Sequence, residues 1–231
     1  MLFHEEKDDM PYGGHTLISV DNSEKRDAFV SRRTTVLDGL QDISTLRAMR
    51  LAFDTAEDPD TVRRIPGHRL MASAIYNDKQ SMDAADERIN EALPDLMQFI
   101  SSEPVVREGE IIWAFDNDGA TDKPAMPGYI RHTTLSIDPS KLDGLIAYAD
   151  STVSTLKSIS GLRRIRVAAV KGTPPYKSED RMVVTAGYNT KEAAGASTEQ
   201  TASIWSGMTE FLADDSERTV LAGDLIYAYN R

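Results

Sequence analysis

An α+β fold made of two consecutive βαββαβ units is predicted by three observations. The run Arg69-Leu-Met-Ala-Ser-Ala-Ile-Tyr-Asn77 returns as Arg181-Met-Val-Val-Thr-Ala-Gly-Tyr-Asn189, each with an Arg at its start and Tyr-Asn at its end. His15-Thr-Leu-Ile-Ser-Val-Asp21 returns without a gap as His132-Thr-Thr-Leu-Ser-Ile-Asp138, 117 residues later. Gly109-Glu-Ile-Ile-Trp-Ala-Phe115 returns as Gly223-Asp-Leu-Ile-Tyr-Ala-Tyr229. Recurrence at the start, middle and end of a segment is the mark of an internal repeat.

The elements follow in order. Residues 1–13 are charged and Gly-punctuated and read as an N-terminal tail. His15–Val20 alternates as a first strand. Asp21-Asn-Ser supplies N-cap residues for a mixed helix to about Leu40. Leu46–Phe53 is a second strand, 54–67 a loop with two Pro, and Arg69–Tyr76 a third strand. Asn77-x-x-Gln80 has the form of a capping box. Behind it Met82, Ala85, Ile89, Leu93, Leu96, Met97 and Ile100 make one apolar stripe of a helix reaching Ile100. Glu110–Phe115 is a fourth strand.

Residues 117–128 read as a linker between a first repeat at 14–116 and a second at 129–231. In the second repeat Asp138-Pro139 is a helix start, an Asp cap with Pro at the first helical position. Leu162–Arg166, Arg181–Tyr188 and Gly223–Tyr229 are strands. Asn189-x-x-Glu192 repeats the capping-box pattern. The helix after it carries Ala193, Ser197, Thr201, Ile204, Trp205, Met208 and Leu212 on one side.

βαββαβ is the ferredoxin-like order. A four-stranded sheet with helices on one face must bury its other face. Alternation assigns Ile18, Leu51, Ala72, Ala74, Ile112, Leu135, Val184, Ala186 and Ile226 to the helix side. The opposite face receives His15, Arg50, Arg69, Trp113 and Phe115 in one repeat and His132, Arg166, Arg181, Tyr227 and Tyr229 in the other. The expected architecture is therefore two ferredoxin-like repeats packed sheet-to-sheet as an α/β barrel within one chain. With both faces covered internally, a monomer or weak homodimer is expected.

Bulk composition narrows the function. Hydrophobic residues make up 40%, enough for a core, and no apolar run approaches the roughly 20 residues of a membrane span. The acidic N-terminus lacks the pattern of a signal peptide, so a cytoplasmic protein is expected. A net charge of −11 argues against nucleic acid and anionic membrane as partners. The absence of Cys removes thiol nucleophiles and thiolate metal sites. No Gly-rich phosphate loop, nucleophile elbow or His-Glu-x-x-His sequence occurs. A small molecule is the expected partner, with neither cofactor nor metal.

His15 and His132 occupy equivalent places, and an imidazole there is a candidate general base. The other reading is a strand-end His bonded to backbone or a carboxylate, its recurrence inherited from one duplicated ancestor. Tyr76 and Tyr188 close the third strand of each repeat, where the ring can pack on the helices with its hydroxyl near a pocket. The adjoining Asn77 and Asn189 are preferred N-cap residues and read as structural. Arg50, Arg69, Arg166 and Arg181 on an interior face need carboxylates such as Glu110 and Asp224, or an anionic ligand. Trp113, Tyr227 and Trp205 are candidates for an aromatic ligand wall, or for core and seam packing.

Tyr188-Asn-Thr-Lys-Glu-Ala-Ala194, followed by Ile204-Trp205 and Gly223-Asp-Leu-Ile-Tyr227, resembles the antibiotic biosynthesis monooxygenase family and, more broadly, the dimeric α/β-barrel superfamily, here as a tandem duplication. Tyr76-Asn-Asp-Lys-Gln-Ser-Met82 matches loosely and lacks Glu-Ala-Ala. The resemblance implies a cofactor-independent monooxygenase-like enzyme that helps deprotonate a small aromatic or quinol-like substrate, which then reacts with oxygen itself. His15 or His132 would be the base, with Tyr76, Tyr188 and the arginines orienting an anionic intermediate. The alternatives are a non-catalytic small-molecule-binding or stress-response barrel, and an isomerase or cyclase. The haem-degrading branch uses a first-strand Asn where this chain has His15 and His132. An enzyme of this kind is expected to hold a cavity of roughly 300 Å3 or more with a His on its wall.

Overall fold

The computed structural model describes residues 10–55, 68–92, 94–117, 126–172, 180–214, 216 and 218–231. Leu93, most of the 1–13 tail, the 54–67 loop and the 117–128 linker, and residues 173–179 lie outside them. The strands are β1 (Tyr12–Ser19), β2 (Leu46–Phe53), β3 (Arg69–Tyr76), β4 (Val105–Asp116), β5 (Tyr129–Ser136), β6 (Leu162–Gly172), β7 (Asp180–Tyr188) and β8 (Thr219–Asn230). The helices are α1 (Ser23–Leu37), α2 (Lys79–Ala92), α3 (Pro94–Met97), α4 (Leu142–Ser151), α5 (Val153–Ser158) and α6 (Lys191–Met208). Hydrogen-bonded strand order is β1-β3-β2-β8-β5-β7-β6-β4, an α+β fold with a closed eight-stranded antiparallel barrel.

The chain divides into two compact units. One is Met1–Ile111 with Leu225–Arg231, and the other is Ile112–Asp224. β4 and β8 therefore each begin in one unit and end in the other.

In the first unit β1 pairs with β3 and β4, and β2 pairs with β3 and the end of β8. Its core joins Phe29, Leu37, Leu40, Leu51, Phe53, Leu70 and Met82. Asn22 caps α1 by accepting from the Lys25 N–H at 2.9 Å. The helical pattern expected to reach Ile100 is found as α2, Lys79–Ala92, and α3, Pro94–Met97, with Leu93 outside the described residues and helix ending before Ile100. Ile100 instead forms an isolated bridge to Val20.

In the second unit β5 pairs with β7 and β8, and β6 pairs with β7. Asp138 accepts from the Ser140 N–H at 3.0 Å, with Pro139 following, as the sequence indicates. Gly161 joins α5 to β6 at a φ of 78°, the left-handed conformation glycine tolerates. A Cβ there would come within 2.6 Å of the Ala193 Cβ on α6.

The two expected capping boxes are each displaced by one residue. Asp78 Oδ1 accepts from the Ser81 N–H at 2.6 Å, and Thr190 Oγ1 accepts from the Ala193 N–H at 3.2 Å. Asn77 and Asn189 do a different job, accepting from the Nε of Arg47 and Arg163 respectively. They hold the first residues of β2 and β6 against the ends of β3 and β7.

Candidate functional site

The cavity that stands out lies wholly within the second unit, between one face of its sheet and its helices. β4 contributes Ile112 and Trp113, β6 contributes Ile165 and Val167, and β7 contributes Met182, Val184, Ala186 and Tyr188. α4 adds Leu145, Ile146, Tyr148 and Ala149; Thr152 and Leu156 follow, and α6 adds Thr201, Ile204, Trp205 and Met208. The cavity measures about 80 Å3. Among the described residues no charged side chain is in this wall.

Its polar atoms are largely engaged within the protein. Trp113 Nε1 donates to Asp150 Oδ1 at 2.9 Å. The Tyr148 hydroxyl donates to the Ile204 carbonyl at 2.9 Å. Thr152 and Thr201 hydroxyls donate to the carbonyls of Ala149 and Ser197 at 2.7 and 3.0 Å. Such a wall offers ring faces, methyl groups and spare acceptor lone pairs. It favours an uncharged apolar guest, since a buried ion would lose its water without a partner. Arg131 lies 5.9 Å from the centre of the Tyr188 ring, a cation–π contact.

Three sequence candidates, Tyr188, Trp113 and Trp205, meet at this cavity. The others stand elsewhere. Register aligns Arg107, His15, Ser73 and Arg50 across β4, β1, β3 and β2, and all four are buried. The His15 pKa is lowered to about 4, first by burial and then by the Arg107 charge, so the imidazole is neutral at neutral pH. Arg50 donates to Asn230 Oδ1 at 2.6 Å. Arg69 is opposite Ser19 on β1. Tyr76 is packed in the first unit's core, 2% exposed.

In the second unit, Leu221, His132, Thr185 and Arg166 form the corresponding row. Val184 and Ala186, which flank Thr185, line the cavity, so this row belongs to the opposite face of the sheet. Arg166 grips both oxygens of Asp116 at 2.9 and 2.7 Å and donates to the Phe115 carbonyl at 3.0 Å. Its partner is thus Asp116, at the end of β4. Arg181 is opposite Ser136 on β5. Among the described residues no His lines the cavity.

Four aromatic positions differ from the face expected of them. Alternation assigns Trp113 and Phe115 to the face shared by the histidines and arginines. Both instead pack with the cores under the helices, their rings stacked 6.3 Å apart. Adjacent Ile112 and Trp113 line the same cavity, so strict alternation is interrupted there. Tyr227 and Tyr229 likewise pack with Ile226 on the first unit's core. The register between β2 and β8 shifts after Leu51–Tyr227, so that Ala52 faces Leu225. A bulge of this kind reverses the phase of all that follows. The Tyr227 hydroxyl accepts from Gln41 Nε2 at 2.8 Å and donates to Asp38 at 3.2 Å. Burial raises its pKa, keeping the phenol protonated.

Sequence reasoning missed Tyr148, Thr152 and the α4 contribution to the wall. Their signal is present in the apolar spacing of Leu145, Ile146 and Ala149, in a helix of which the sequence motifs mark only the start. Among the described residues no group of three or more His, Asp or Glu is placed to hold a metal. No described helix is long and apolar enough to cross a membrane.

No protein-family model and no curated protein matches this chain. Solved structures do. An anthrone oxidase-like protein superposes with a TM-score of 0.65 at 13% identity, covering 96% of this chain and 94% of its own. A provisionally named monooxygenase from Fusobacterium nucleatum gives 0.68 at 11%, covering 96% and 95%. Another from Lactobacillus acidophilus gives 0.67 at 10%, covering 96% of both. At these identities the likeness establishes the fold: the chain has the α+β barrel fold of these proteins.

Proposed function

We propose that the protein is a cofactor-independent monooxygenase-like enzyme whose small aromatic or quinol-like substrate binds in the cavity beneath α4 and α6. The observation that carries this reading is the wall itself, which gathers Trp113, Tyr148, Tyr188 and Trp205 around apolar residues without a charge. The names borne by the similar structures, anthrone oxidase-like and monooxygenase, support it.

The chemistry balances without a bound redox group. A benzylic or phenol-activated CH2 gives a proton to hydroxide from the solvent, forming water, and the resulting carbanion joins O2 to give a peroxide. The peroxide takes up a proton and loses water to leave a carbonyl, so one oxygen atom enters the product and the other leaves as water. The cavity would orient the ring and exclude bulk water from the carbanion. Tyr188 and Tyr148 supply hydroxyls at its wall. A base role for His15 or His132, with Tyr76, Arg50, Arg69, Arg166 and Arg181 orienting an anion, would need a second site. His15 is a weak base at a pKa of about 4.

We also read the two βαββαβ halves, 14–116 and 129–231, as copies of one ancestral unit. The matched Arg47–Asn77 and Arg163–Asn189 bonds support this, as does the His15–Asp21 echo at His132–Asp138.

Oxygen-electrode measurements with anthrone, 1-naphthol and hydroquinones test the function. Uptake that depends on the protein and falls at least tenfold in a Tyr188→Ala variant supports it. No uptake with any of them counts against it. A non-catalytic small-molecule-binding protein is the second reading, favoured by a cavity wall with no titratable group except tyrosine. Binding without oxygen uptake would select it.

A further inference from the structure

The cavity is closed too tightly for the guest its wall suits. At about 80 Å3 it falls well below the roughly 300 Å3 at which ligand pockets begin, so a molecule of two or three fused rings enters only if a wall moves. The strand side of the wall is backed by the sheet, where Met182, Val184 and Ala186 are buried. The half-exposed wall residues of α4 and α6, Ile146, Tyr148, Ile204 and Trp205 among them, mark the seam between these helices as the side nearest solvent.

One side chain ties that seam. Tyr148 of α4 lines the cavity and donates its hydroxyl to the Ile204 carbonyl of α6 at 2.9 Å. α6 makes room for it with Gly207, where an added Cβ would lie 2.2 Å from the Tyr148 hydroxyl oxygen and 2.6 Å from Cζ. Glycine is a poor residue inside a helix, and here the close approach of the tyrosine requires it. The Tyr148 ring also packs on Phe211, 5.7 Å between centres.

We propose that Tyr148 is the latch of the cavity and its size-selecting residue. Its bond to the Ile204 carbonyl holds α4 on α6, release of that bond opens the seam to admit an aromatic guest, and its ring limits how many fused rings fit. This rests on the reading of the cavity as the ligand site.

Stopped-flow fluorescence with the neutral probe N-phenyl-1-naphthylamine tests it on the full chain. Tyr148→Phe keeps the ring and removes the bond. Both association and dissociation should quicken at least fivefold, with the Kd moving less than threefold. Gly207→Ala displaces the untouched tyrosine and should quicken both steps in the same way. Tyr148→Ala should improve the affinity for anthrone relative to 1-naphthol about tenfold. Unchanged rates in both Tyr148→Phe and Gly207→Ala, with binding intact, overturn the latch and leave the cavity as the site. Absence of probe binding to the wild-type protein overturns both.

Discussion

Trp113 Nε1 donates to Asp150 Oδ1 across 2.9 Å, tying the second half of β4 to α4. This bond fixes the Trp113 ring on the helix side of the sheet, at the cavity, where simple alternation places it on the opposite face. Asp150→Ala removes the acceptor and should lower stability by about 0.5–1 kcal/mol. Asp150→Asn keeps a carbonyl oxygen in place and should lose less. Urea unfolding of the two variants measures the difference; equal stability of both with the wild type would free Trp113 from this role.

Ala186 is 9% exposed and faces the cavity from β7. Ala186→Leu puts new carbons into the empty space. Binding of N-phenyl-1-naphthylamine should weaken at least tenfold, while stability changes by no more than about 1.5 kcal/mol because the volume is accommodated. Unaltered probe binding by a folded variant would place the guest elsewhere.

His15 makes a pH-dependent contribution to stability whose sign is fixed. Its pKa is about 4 in the fold against 6.5 ordinarily, through burial and the Arg107 charge. The unfolded chain binds this proton more readily, so the contribution is fully present above pH 6.5 and is lost as pH falls toward 4. A difference of this size corresponds to roughly 3 kcal/mol. Denaturant unfolding between about pH 5 and pH 7 should therefore show a steeper rise with pH in the wild type than in His15→Gln. Parallel curves would mean that His15 titrates alike in the folded and unfolded chain.

Gly161 holds a φ of 78° beneath α6. Gly161→Ala meets both the left-handed backbone penalty and the Ala193 Cβ, and should cost about 2 kcal/mol or more. Thermal unfolding checks it. Gly39 is the control, because a methyl group added there would meet only open space. Gly39→Ala should leave stability nearly unchanged.

The sequence made β2 and β3 legible because each is a short run flanked by turn or cap residues, whereas β4, β6 and β8 run past the expected Glu110–Phe115, Leu162–Arg166 and Gly223–Tyr229. β2 and β3 fall at Leu46–Phe53 and Arg69–Tyr76, the expected bounds. It left the face of Tyr227 obscure, because alternation presumes an unbroken ladder and a bulge is a property of pairing, and that of Trp113 obscure, because its partner Asp150 stands on a distant helix. The caps moved from Asn77 to Asp78 and from Asn189 to Thr190 for a related reason. All four residues are competent caps, and the arginines that claim the two Asn side chains approach from neighbouring strands. Tyr188 and Trp205 were found through family resemblance, whereas Tyr148 was missed because its role depends on Gly207, far along the chain.

The location of the bound guest tests the central claim most directly. Titration of 1-naphthol into 15N-labelled protein, followed by amide chemical shifts, should reach one molecule per chain. The largest changes should fall on α4, α6 and the Val184–Tyr188 stretch of β7. Changes concentrated on β1 and β3 around His15 and Ser73, with the α4 and α6 amides unmoved, would contradict it.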